Sequence, residues 1–166
     1  MRAKSFSGMN CSVAGALEAI GDRWGFLILR DLLLGLSRYD EFQTSTGIPA
    51  QTLATRLKQL EAADLVTRRR YQDHPPRDEY VLTDKGRDLW TVVTALREWG
   101  DKWDAHAGTE GPPLDLVRRD SGTRLRLALV DEKTGMQASP KEAEAVLGPG
   151  GDALMAFRLK TALKRR

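Results

Sequence analysis

Residues 46–60 read Thr-Gly-Ile-Pro-Ala-Gln-Thr-Leu-Ala-Thr-Arg-Leu-Lys-Gln-Leu. Gly47 supplies the backbone freedom of a tight turn, and Pro49 suits the first turn of a helix. From there the pattern predicts a helix over 50–62, with Leu53, Leu57 and Leu60 at i, i+4 and i+7 facing a core. Gln51, Thr52, Thr55, Lys58 and Gln59 project mostly outward and Arg56 lies at the flank, with no carboxylate before Glu61. Amides, hydroxyls and cations are the side chains that read base edges and phosphates. A short helix expected over 39–45, burying Tyr39 and Phe42, precedes the turn. Helix, Gly-containing turn and helix form a helix-turn-helix pattern. Many helical proteins contain such a pair, so the neighbouring segments decide its meaning.

Downstream, 65–71 and 79–83 read as strands, with β-branched and aromatic residues in rough alternation. Between them Gln72-Asp73-His74-Pro75-Pro76-Arg77-Asp78 is expected as a stiff exposed loop, because two prolines cannot join a ladder. Two strands joined this way after a helix-turn-helix make a wing. Arg68, Arg70 and Arg77 lie on or near it and suit a phosphate clamp or a narrow minor groove. The alternative for each arginine is a surface ion pair with Asp73, Asp78 or Glu79. Charge follows the same division: six Lys/Arg against three acids over 49–77, then four against seven over 78–104.

Upstream, a helix is expected over 13–20, capped by Ser12, with Val13, Leu17 and Ile20 on one face and Gly21 at its end. Asp22 then caps a second helix over 23–34, apolar nearly all round and therefore central. After the wing, Thr83 caps a long helix expected to run from Asp84 to about His106. Leu89, Val93, Leu96, Trp99 and Trp103 form a stripe along it that needs a partner. A second copy of the chain is the simplest one, and the C-terminal segment of the same chain is the alternative.

The whole chain, 166 residues and 18.5 kDa, is 41% hydrophobic and 30% charged, with a formal net charge of +3. That composition is globular, and no apolar run approaches the ~20 residues that cross a bilayer. The start, Met1 to Asn10, lacks the apolar core of a secretory signal. Cys11 is the only cysteine and His74 and His106 the only histidines, which leaves neither an internal disulfide nor a multi-cysteine metal site and fits a reducing cytoplasm. No nucleophile–base pair, phosphate loop or metal set suggests an enzyme.

Taken together, Cys11, Ile20-Gly21-Asp22-Arg23-Trp24, Leu27-Ile28-Leu29-Arg30-Asp31-Leu32, Arg38-Tyr39-Asp40-Glu41-Phe42, Leu53-Ala54-Thr55-Arg56-Leu57, Pro75-Pro76-Arg77, Glu79-Tyr80, Lys85-Gly86 and Trp99-Gly100 form a recognisable set. Over 11–103 the chain resembles the HxlR family of bacterial winged-helix transcriptional regulators, relatives of the MarR family. The resemblance implies an α+β winged helix-turn-helix with flanking dimerisation helices, a non-enzymatic homodimer and a roughly palindromic double-stranded DNA operator. It makes 50–59 the recognition helix and the loop around 75–77 the wing. The DNA-binding candidates are then Gln51, Thr52, Thr55, Arg56, Lys58, Gln59, Arg70 and Arg77. The family builds its dimer from the first and last helices, which points to Val13, Leu17, Leu89, Leu96, Trp99 and Trp103. Cys11 matches the cysteine that redox-sensing members use. With no second cysteine, only an intersubunit disulfide or a small-molecule adduct is open to it, and a small buried interface residue is the alternative.

Domains are expected at 11–106 and, as a small β-containing appendage, 107–166. There 124–130 reads as a strand, 131–135 as a turn and 152–163 as a helix. Arg119-Asp120-Ser121-Gly122 and Lys133-Thr134-Gly135 resemble the knuckles of a zinc ribbon, but no thiol or imidazole is present to hold a metal, so no cofactor is expected. A small-molecule effector, lined by Trp24, Phe26, Trp99 and Trp103, is a further expectation. The competing function class is a winged-helix protein-interaction module that does not bind DNA.

Overall fold

The computed structural model describes residues 5–103 and 111–163, and they fall into two compact units, Met1–Val117 and Arg118–Arg166. The first unit runs on to Val117, past the boundary at 106 expected from the linker composition.

Its elements follow the chain as α1 (Ser12–Ile20), α2 (Arg23–Leu34), α3 (Tyr39–Thr46), α4 (Ala50–Ala62), β1 (Val66–Gln72), β2 (Arg77–Leu82), α5 (Asp84–Asp88) and α6 (Trp90–Lys102). Each boundary has a local cause. Asp22 caps α2, its Oδ1 accepting from the Trp24 and Gly25 amides at 3.0 and 3.3 Å. The Glu41 carboxylate accepts from the Ser37 and Arg38 amides at 2.8 and 2.9 Å and starts α3. Gly35 and Gly47 end α2 and α3 in the left-handed region. The expected cap of α1 moves by one residue: Cys11 is extended at the N-cap and Ser12 is already helical. The Cys11 carbonyl accepts the first helical bond, from Gly15 at 3.0 Å.

Ile20, Ile28, Leu29, Leu32, Phe42, Ile48, Leu53, Leu57, Leu60, Leu65 and Val66 form one buried core beneath α1–α4 and the root of the wing. Two close approaches require glycine. A Cβ on Gly25 would lie 2.1 Å from the Ile20 carbonyl oxygen, and one on Gly86 2.0 Å from that of Leu65. The first lets α1 meet α2; the second lets α5 pass under the start of β1.

β1 and β2 pair antiparallel, Val66 with Leu82, Arg68 with Tyr80, Arg69 with Glu79 and Arg70 with Asp78, with an irregularity between Arg70 and Gln72. Both strands reach further toward the loop than the sequence suggests. Arg77 pairs with Gln72, so the loop shrinks to 73–76 and the prolines sit in the turn itself. The single helix expected from Asp84 is divided at Leu89, where an amide-to-Gly86 bond of 3.3 Å tightens the turn and the side chain packs against the core. The expected end at His106 lies outside the described residues.

In the second unit, the segment 118–123 is a turn closed by Arg118 N–H to Thr123 O at 2.8 Å. A minimal hairpin pairs β3 (Leu129–Val130) with β4 (Gln137–Ala138). The strand expected over 124–130 is therefore broken: Arg124 makes an isolated bridge and only Leu129 and Val130 form a ladder. Between them Asp131 Oδ1 accepts from the Lys133 and Thr134 amides at 3.0 and 2.8 Å, giving the expected turn. Helix α7 spans Ala153–Leu163. Both expected knuckles are thus hydrogen-bonded turns, and among the described residues no group of three or more His, Cys, Asp or Glu is poised for a metal.

Candidate nucleic-acid interface

α4 is held at its N-terminus before it presents anything. Tyr39 Oη donates to the Ala50 carbonyl at 2.5 Å, fixing its N-terminus to α3. Leu53, Leu57 and Leu60 are buried, so the opposite face is committed to solvent. That face carries exposed Gln51, Thr55, Lys58 and Gln59, with Thr52 half-buried at its edge. Thr55 donates its hydroxyl to the Gln51 carbonyl at 2.9 Å, which leaves the oxygen lone pairs as its outward chemistry.

Arg56 does something the sequence did not reveal. Its Nη2 lies 2.6 Å from Asp22 Oδ2 and its Nη1 2.8 Å from Gln59 Oε1. The N-cap carboxylate of α2 therefore also clamps the flank of α4. Burial pushes the Asp22 carboxyl up, but the Arg56 guanidinium and the Gly25 and Trp24 amides outweigh it and hold the group below its ordinary value. Arg56 and Gln59 are thus engaged with each other, and Arg56 with α2, whereas the Gln51 and Lys58 side chains make no contact of this kind among the described residues.

On the wing the two sheet faces differ. On one, Glu79 Oε1 accepts from Arg69 Nε and Nη2 at 2.9 and 2.7 Å, while its Oε2 accepts from Ser37 Oγ at 3.3 Å. The Arg69 bond keeps the Glu79 carboxyl below its ordinary value. The Tyr80 amide also donates to the Ser37 carbonyl at 2.7 Å, so the outer edge of β2 is tied to the α2–α3 connection. On the other face Asp78 stands between Arg70, 3.1 Å away, and Arg68, 3.8 Å away. Arg77, at the start of β2, is exposed and makes no ion pair among the described residues. Arg38 stacks on Tyr71, 4.5 Å from its ring centroid.

The remaining candidates lie on α1, α5–α6 and the residues that flank them. Val13, Leu17, Leu96, Trp99 and Trp103 are exposed, the last two at 62% and 64%, while Leu89 is half-buried against the core. Cys11 is half-buried at the head of α1. An open groove of about 1350 Å³ runs beside α1 and α4, with Phe6, Met9, Leu17, Asp22, Arg56 and Lys85 among its lining residues. None of the four aromatics expected to line an effector pocket borders it; Trp24 and Phe26 pack against the core instead.

A family model described as HxlR-like helix-turn-helix matches residues 19–107. The HTH-type transcriptional regulator Rv3095 of Mycobacterium tuberculosis, itself uncharacterized, is 36% identical over 145 residues, 87% of this chain and 90% of that protein. A regulator of the same description from Methanothermobacter thermautotrophicus is 37% identical over 102 residues, 61% of this chain and 78% of that one. Among solved structures, PA1607, a proposed transcription factor, superposes with a TM-score of 0.74 at 33% identity, covering 86% of this chain and 99% of its own. The redox regulator HypR in its reduced form superposes with a TM-score of 0.54 at 32% identity, covering 60% of this chain and all of its own. The PA1607 match therefore extends beyond the winged unit, while the HypR match is short enough to fit within that unit's length.

Proposed function

The chain belongs to the HxlR-like helix-turn-helix family of transcriptional regulators, and from that premise we propose that it works as a homodimer on a two-fold double-stranded DNA operator. The observation that carries this reading is the face of α4. Gln51, Thr55 and Lys58 stand on the side opposite the buried leucines with Thr52 at its edge, beside a wing whose Arg77 makes no ion pair among the described residues. Gln51 and Thr55, near the N-terminus of α4, suit base edges; Lys58, Arg70 and Arg77 suit phosphates. Two such helices related by a dyad would enter successive major grooves, with half-sites about 10 base pairs apart or a multiple of that.

The exposed α1 and α6 side chains Val13, Leu17, Leu96, Trp99 and Trp103 support the dimer reading, since an apolar stripe of this kind calls for cover. The likeness to HypR supports a redox role for Cys11, through an intersubunit disulfide or an adduct. Cys11→Ser should then abolish any oxidant-dependent change in DNA affinity. Binding, not catalysis, is the chain's activity in this reading, and its place is the cytoplasm; no described helix is long and apolar enough to cross a membrane. Titrating salt against binding to duplex DNA tests the whole. A regulator loses affinity steeply as salt rises, whereas a protein-interaction module binds duplex weakly at every salt concentration. Footprinting on the DNA flanking its own gene then locates the operator.

A further inference from the structure

The geometry points to Asp78 as a built-in counter-charge that sets how strongly the wing grips DNA, an inference that rests on the DNA-binding reading above. The wing carries two arginine–carboxylate arrangements on opposite faces, and they are built differently. Glu79 is only 17% exposed, holds Arg69 and also bonds Ser37, so its carboxylate fastens the sheet to the body of the protein. Asp78 reaches nothing in the body. Among the described residues its two oxygens pair with Arg70 Nε at 3.1 Å and Arg68 Nη1 at 3.8 Å alone, and both arginines are more than half exposed.

One carboxylate thus serves two guanidiniums on the face opposite Glu79. Exposed ion pairs of this kind contribute little to folding, so the arrangement is poorly explained as a structural brace. Its electrostatic effect is larger. A phosphate that approaches Arg68 and Arg70 must displace a carboxylate already in place or sit beside it, and like charges that close repel. The duplex therefore meets a wing whose attraction is partly cancelled from within. The cancellation bears on every sequence alike, because phosphates carry no base identity. Asp78 consequently lowers affinity for random and operator DNA by the same factor, which is the larger share of the whole for random DNA, where the base contacts of α4 are missing.

Measuring fluorescence anisotropy of the full chain on a random 30-base-pair duplex and on DNA flanking its own gene, over a salt series, tests this. Asp78→Asn keeps size and polarity while removing the charge. It should tighten binding to the random duplex by roughly threefold to tenfold at low salt and steepen the logarithmic salt slope by up to about 0.9 per subunit. Asp78→Glu keeps the charge and should bind as the wild type does. Melting curves for both variants should stay near the wild type. Affinity and slope unchanged in Asp78→Asn, or an affinity that falls, would overturn the inference while leaving the DNA-binding reading intact, provided that Arg77→Ala still weakens binding. A wild-type chain that binds no duplex at any salt concentration overturns both.

Discussion

Replacing Arg56 with alanine separates two roles that the sequence alone cannot distinguish. A phosphate contact on the recognition helix lowers affinity and flattens the salt slope, by about one unit per contact. A brace lowers stability and leaves the slope alone. The structure assigns Arg56 to the brace: its guanidinium bonds Asp22 at 2.6 Å and Gln59 at 2.8 Å, with side-chain exposures of 24% for Arg56 and 37% for Asp22. Charged hydrogen bonds contribute about 1.5–3 kcal/mol when shielded and exposed pairs about 0.2–1, so this half-shielded pair is worth about 1–2 kcal/mol. For a chain of this length that corresponds to a melting temperature lower by roughly 3–6 °C. Asp22→Asn isolates the same bond, because asparagine caps a helix about as well as aspartate but lacks the charge. Its pH behaviour provides a further reading. The Asp22 carboxyl is held below its ordinary value of 3.8 in the folded chain, so its contribution is present above that value and is lost as pH falls through the lower, folded one. Asp22→Asn should therefore lose stability near neutral pH and little more on acidification, and the gap to the wild type should close in acid. Thermal melts between pH 2.5 and 7, with salt-dependent anisotropy alongside, measure both effects. A flatter salt slope for Arg56→Ala with an unchanged melting temperature would refute the assignment.

Other substitutions give distinct outcomes. Lys58→Ala or Arg77→Ala should weaken all duplexes about equally and reduce the salt slope by about one unit per subunit, measured by anisotropy. Gln51→Ala should relax base preference at one position of each half-site, at roughly 1–3 kcal/mol, measured by competition between operator variants. The double change Trp99→Ala with Trp103→Ala should shift the chain toward monomer in sedimentation, because each ring removes on the order of 200 Å² from water when covered, at about 25 cal/mol per Å²; a dimer that persists at low concentration counts against this interface. Gly86→Ala should destabilise the winged unit by about 2 kcal/mol or more in chemical denaturation, since its Cβ would meet the Leu65 carbonyl.

The features legible in the sequence are those whose causes lie within one or two helical turns. Asp22 followed by an apolar run ended by Gly35 delimits α2 at both ends, and the i, i+4, i+7 leucines fix the inward face of α4 and so its outward one. Other features have causes at longer range. Arg56 stands at the flank of a helical wheel, where period alone leaves it as free to reach outward as Lys58; what turns it inward is a carboxylate 34 residues away that is already occupied as a cap. Residues 77 and 78 read as loop because prolines precede them, yet the pairing of Arg70 with Asp78 and Gln72 with Arg77 extends the ladder to the turn. The alternation over 124–130 reads as a strand, but alternation specifies a face and not a partner, and only Leu129 and Val130 extend into a ladder. The same distinction governs the arginines of the wing. Composition makes them one cationic cluster, whereas the strand register divides them: Arg69 goes to the anchored face with Glu79, and Arg68 and Arg70 go to the face with Asp78. Which arginines remain available to a phosphate is therefore decided by pairing register, a property that the residue types alone do not carry.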